Sequence, residues 1–114
     1  RHEQRPMTQA YDRDKLVELF GDDPATLAEV EREFLDTARV VAREIRGTDD
    51  LVAIARAAHR LKGASGMIGA AALRQIAEAV ERAAKADDLP TVRRLHDMFS
   101  LEVKRVAEQA GVAE

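Results

Sequence analysis

Between Ala57 and Ala70 the chain reads AAHRLKGASGMIGA. Helical spacing there sets an imidazole (His59) beside an ammonium three residues on (Lys62), with glycines at 63, 66 and 69. A neutral imidazole nitrogen can act as a nucleophile. A fixed ammonium can stabilise phosphoryl oxygens as charge redistributes over them. Each glycine inside a helix costs about 1 kcal/mol relative to alanine, but a missing β-carbon lets a bulky partner come close. On a helical projection His59 lies about 120° from the centre of the apolar stripe of Leu51, Ile54, Ala58, Leu61 and Ser65. Ala55, Gly63 and Gly66 fall within about 40° of it, and Arg56 and Lys62 about 60° to either side. The histidine is therefore expected on an exposed strip cleared of side chains, with a cation on each shoulder. Such a strip suits a phosphoryl group presented by another protein.

Each residue also has a plainer reading. A lone surface histidine usually has no function, as His2 and His96 illustrate, and Lys62 alone would be a solvated charge. Glycines at three-residue spacing also serve close helix packing or loosen a helix before a turn, and Gly69 is read as part of that turn. Ser65 reads as a packing or backbone-bonded residue. The combination in this order carries the signal; no member carries it alone.

Five helical segments are expected to position these residues. A short one runs from Asp12 or Asp14 to Phe20, with Leu16, Leu19 and Phe20 as its apolar side, and Gly21 ends it. Asp22, Asp23 and Pro24 start the next. It runs to about Arg46, with Leu27, Val30, Phe34, Val41 and Ile45 at helical spacing before Gly47. Thr48, Asp49 and Asp50 cap the helix of His59. The fourth segment, about Ala70 to Ala86, buries Leu73, Ile76, Val80 and Ala84. Asp87, Asp88 and Pro90 open the last, with Val92, Leu95, Phe99, Val103 and Val106 inward. Short connections between long amphipathic helices favour antiparallel neighbours. The expected fold is all-α: an antiparallel up-down four-helix bundle with a short additional N-terminal helix. Residues 1–10 read as a linker or disordered lead-in, and 11–114 as the bundle domain.

The bulk numbers agree with one modest helical domain: 114 residues, 4% aromatic, three prolines and a formal charge of −3. No basic stripe marks a nucleic-acid footprint. Without cysteine there are no disulfides or thiolate metal sites. No second histidine stands three or four residues from His59, which argues against a metal site. No apolar run approaches a membrane span. The opening residue, Arg1, is read as a cut from a longer chain.

Ala58 to Leu73 fits, without a gap, the pattern A-H-x-L-K-G-x-[SA]-x-x-x-G-[AL]-x-x-L of the histidine phosphotransfer (HPt) domains of multistep phosphorelays. The chain resembles that family over roughly Asp12 to Ala110, most like the C-terminal HPt domains of hybrid sensor kinases. The resemblance implies a cytoplasmic phosphocarrier, not an independent enzyme. It would take a phosphoryl group from one receiver-domain aspartate and pass it to another. His59 matches the phospho-acceptor, Lys62 the assisting lysine, Gly63 the glycine that opens access, and Gly69 the glycine at the turn. In relatives a Gln or Glu on the next helix bonds the other ring nitrogen. Counted without gaps, that position is Glu81, with Glu78 one turn earlier as the alternative. Glu81 pairing as a solvated charge with Arg82 or Lys85 is the other reading. Arg56, Arg60 and Gly66 are expected in the docking patch for response-regulator receiver domains. No cofactor of its own is implied, because the receiver brings Mg²⁺. A monomer without nucleic-acid or direct membrane contact is expected, even where the parent is a membrane sensor kinase. Two other readings stay open: a helical module that docks receivers without carrying phosphate, and the dimerisation and phosphoacceptor part of a sensor kinase.

Overall fold

The computed structural model describes residues 9–112. Within them lie five helices and no strand: α1 (Arg13–Phe20), α2 (Pro24–Arg46), α3 (Leu51–Met67), α4 (Ala71–Lys85) and α5 (Leu89–Ala110). Aspartate sets most of the starts. The side chains of Asp12, Asp23, Asp50 and Asp88 each accept a backbone N–H from the first turn of α1, α2, α3 and α5. These donors would otherwise lack a partner. Pro24 and Pro90 follow two of these caps in the first helical positions. α4 has Ala70 at its N-cap position and so no side-chain cap.

The four long helices pack in a ring, α2 on α3, α3 on α4, α4 on α5 and α5 back on α2. Leu35, Ala38, Val41, Ile54, Ala58, Leu61, Leu73, Ala77, Val92, Phe99 and Ala107 fill it, all 1% exposed or less. Full burial of a large aliphatic or aromatic side chain contributes roughly 1.5–3 kcal/mol, so this row dominates stability. Val30, Leu51, Ile76 and Leu95, expected inward, lie half-buried at the ring's margins.

Two expectations are corrected at the N-terminal end. On α1 only Leu16 is buried; Leu19 and Phe20 are 53% and 41% exposed. The eight-residue helix leans on α2 beside a ring that four longer helices already close, so one residue suffices to anchor it. Tyr11 takes the remaining inward place. It is 2% exposed, and its hydroxyl donates to buried Glu31, which also accepts from Arg13 at 3.0 Å. Burial, then the bond to Glu31, pushes the phenol well above its ordinary pKa. The lead-in of residues 1–10 is also shorter than expected at its C-terminal end. Residues 1–8 lie outside the described residues, but Ala10 is 3% exposed and its N–H donates to Gln109 Oε1 at 2.6 Å. Gln109 Nε2 returns a bond to the Tyr11 carbonyl at 3.0 Å. The ordered segment 10–12 thus straps the end of α5 to the end of α3, where Asp12 N–H donates to the Ile68 carbonyl at 3.1 Å.

Candidate functional site

His59 stands two turns into α3, between Ala58 on the core side and Arg60 outward. Its side chain is 68% exposed, as the projection expects. The stripe of Ile54, Ala58, Leu61 and Ser65 turns a different face of α3 inward, and the neighbouring α4 packs against α3. From α4 comes Glu81, whose side chain is only 6% exposed and whose Oε2 lies 2.9 Å from His59 Nδ1. The same carboxylate meets Lys62 Nζ at 2.9 Å through Oε1 and Lys85 Nζ at 3.1 Å through Oε2. Glu81 thus contacts the imidazole and also pairs with Lys85, but as a buried carboxylate rather than a solvated charge, and Arg82 is not its partner. Glu78 instead pairs with Arg82 at 3.1 Å.

The electrostatics decide the tautomer. Hydrogen bonding by Lys62 leads the effects that hold Glu81 down to about 2; Lys85 and His59 add to it, and burial opposes all three. An ionised carboxylate can only accept, so His59 Nδ1 must carry the proton. In the neutral ring Nε2 then keeps its lone pair. A pH prediction follows. The folded pKa of Glu81 lies below its ordinary 4.5, so its contribution to stability is present above that value and is lost as pH falls through about 2. Paired urea melts of wild type and Glu81→Gln are expected to differ by a constant amount above pH 4.5 and to converge below it. A gap independent of pH would contradict the depressed carboxyl.

The structure alters the picture of two cations flanking a cleared strip. Lys62 is 26% exposed and turned onto Glu81, so it stands between α3 and α4 with one of its three donors engaged. Arg56 is exposed and makes no ion pair with any described residue. Gly63 is open: a β-carbon there would meet nothing within 4 Å. Internal packing therefore does not require this glycine. Gly66 is not open ground, because the Arg74 side chain lies 3.4 Å from where its β-carbon would be. Its carbonyl accepts Lys15 Nζ at 3.0 Å. Gly69 lies in the turn, with φ +71°.

A shallow pocket of about 550 Å³ opens beside the imidazole, bounded mainly by Leu51, Val52, Ala55, Arg56, Ala84 and Lys85. Lys85, which the sequence offers only as a neighbour able to pair with Glu81, joins the site through its i,i+4 spacing on α4. Among the described residues no group of three or more His, Cys, Asp or Glu side chains is placed to hold a metal ion. No helix among them is long and apolar enough to cross a membrane.

Comparison with curated proteins and with solved structures returns no match to either. The model of the Hpt domain family, in contrast, matches residues 14–110, a span that runs from the start of α1 to the end of α5 and contains His59, Lys62, Gly63 and Glu81. With nearly the whole chain matched, from the helices of the ring to the exposed imidazole, the protein belongs to the Hpt domain family.

Proposed function

We propose that this domain is a reversible phosphoryl carrier between receiver domains, with His59 Nε2 as the carrying atom. The observation that supports the reading most strongly is the bond from His59 Nδ1 to an ionised, buried Glu81, which leaves Nε2 as the free nitrogen of a largely exposed side chain. In the step we envisage, the Nε2 lone pair attacks the phosphorus of an aspartyl phosphate in line. The P–O bond to the aspartyl carboxylate breaks, and that carboxylate leaves with the electron pair. The ring gains positive charge, which Glu81 stabilises through the Nδ1 proton. Transfer onward is the same step in reverse. Mg²⁺ held by the receiver would neutralise the phosphoryl oxygens. Lys62, with two donors left beyond its bond to Glu81, would assist from this side. Lys85 shares Oε2 with the imidazole, so it would moderate the pull of Glu81 on the ring.

Gly63 supports the same reading from a different direction. A helix-interior glycine costs about 1 kcal/mol, and no described residue needs the space. An external partner would. The short connections further support consecutive long helices running antiparallel, which places α3 and α4 side by side under that partner. The interface would be transient and modest in area.

The test is direct transfer. Host receiver domains are phosphorylated with a labelled small acyl phosphate in the presence of Mg²⁺, freed of donor, and mixed with the wild-type domain. Label is expected to move to the domain as an acid-labile, base-stable phosphoramidate and to return to a second, unphosphorylated receiver. A domain that binds receivers yet takes no label from any of them would overturn the proposal.

A further inference from the structure

Beside the histidine pocket lies a second depression, between the end of α2 and the first half of α3. It encloses about 490 Å³ and is lined by Arg43, Glu44, Gly47, Thr48, Arg56 and Arg60, together with Ala53. Three guanidinium groups face one carboxylate there, on a chain whose formal charge is −3. Arg60 Nη2 engages Glu44 Oε1 at 2.8 Å, and both side chains are about half exposed. Arg43 and Arg56 are exposed and make no ion pair with any described residue. The excess positive charge is thus not neutralised from within.

Nor is it explained by helix capping. The carbonyls at the end of α2 are served from α5. Arg93 donates to the Ile45 and Thr48 carbonyls at 2.7 and 2.6 Å and pairs with Asp49 at 2.7 Å. Those bonds hold the connection between α2 and α3 in place, so the groove has a fixed wall. Arg93, not the exposed Arg43, is the donor to those carbonyls. Arg56 lines both this groove and the His59 pocket. Anything large enough to bring a phosphoryl group to His59 therefore covers Arg56 and reaches the groove's edge.

We propose that the Arg43–Arg56–Arg60 groove seats an acidic loop of the receiver domain, next to the aspartate that exchanges phosphate with His59. The inference rests on the phosphocarrier reading above. The acidic character of the partner comes from its chemistry: an aspartate that is phosphorylated with Mg²⁺ lies beside the one or two further carboxylates that hold the ion. A cationic groove beside the imidazole fits that face by charge, and exposed complementary charges act mainly on encounter and on partner choice. Glu44 then serves as a brake, occupying Arg60 and lowering the field.

The experiment uses the whole 114-residue chain and the host receiver that transfers fastest to it, phosphorylated with acetyl phosphate and Mg²⁺. Initial transfer rates are measured against receiver concentration at low and high salt, for wild type, Arg43→Glu and Glu44→Gln, with circular dichroism to confirm folding. Arg43→Glu is expected to raise the half-saturating receiver concentration on the order of tenfold at low salt and to flatten the salt dependence. Glu44→Gln is expected to lower it. Opposite shifts from adjacent residues on one helix are not what loss of structure would produce. Wild-type half-saturation and salt slope in both variants, or a loss confined to the maximal rate, would overturn the groove while leaving the carrier reading intact. Absence of label in wild type itself would overturn both.

Discussion

Replacing His59 by Gln is expected to bring phosphoryl transfer down to the detection limit while changing stability by no more than about 0.5 kcal/mol. The two halves of that expectation have separate causes. Glutamine has no ring nitrogen able to hold the phosphoryl group, so the loss is of the reacting atom itself and no residual rate should survive. The fold, by contrast, asks little of this side chain. It is 68% exposed, and its one bond is to Glu81, which keeps Lys62 and Lys85. A glutamine amide can offer that carboxylate an N–H in place of Nδ1. Labelling with a phosphorylated receiver, run beside thermal melts of the same samples, checks both halves. If His59→Gln still took label, mapping it would name the true acceptor. His96 is the rival ring among the described residues. It is half-buried, with Nδ1 unpartnered, and burial followed by the nearby Arg46 pushes its pKa down. Label on His96 would displace the site described above.

The limits of reading this chain from its sequence follow the reach of each signal. Aspartate caps and proline starts act within one helical turn, so four of the five helices begin where Asp12, Asp23, Asp50 and Asp88 announce them. The exposure of His59 followed likewise from the phase of its own helix. Burial at the margins did not. Leu19 and Phe20 share an amphipathic pattern with Leu16, yet they stay exposed because the ring beside them is already closed. The contact of Glu81 with His59 depends on the stagger of α4 against α3, which no pattern within either helix encodes. The same is true of Arg74 over Gly66. The strap from Ala10 and Tyr11 to Gln109 joins residues 98 and 99 apart in the chain, and nothing local marks either end.

That strap also determines the largest stability effect expected of a single methyl group, at Gly69. Its φ of +71° is a conformation that costs an L-residue roughly 1–2 kcal/mol. Space is the second difficulty. A β-carbon at Gly69 would sit 2.6 Å from Asp12 Cβ, far inside the roughly 3.5–4 Å at which carbon atoms rest, with Asp12 N already in contact at 3.4 Å. Asp12 cannot simply swing aside, because its N–H is bonded to the Ile68 carbonyl and its carboxylate caps α1. Moving it means loosening the strap. Gly69→Ala is therefore expected to cost about 2–4 kcal/mol, a large share of the 5–15 kcal/mol typical of a domain, and to lower Tm on the order of 10 °C. Gly63→Ala should do the reverse. Nothing stands within 4 Å of the new methyl, so it gains the helix propensity of alanine, about 1 kcal/mol, and melts higher. In exchange it places a methyl one turn from the imidazole, where the partner must approach, and transfer slows. Melting curves and transfer rates of the two variants should cross: Gly69→Ala unstable but competent below its midpoint, Gly63→Ala stable but slow. Two glycines six residues apart in the same motif would then be separated by cause, one required by the chain's own packing and the other by the surface it offers. A destabilised Gly63→Ala beside a neutral Gly69→Ala would reverse that assignment.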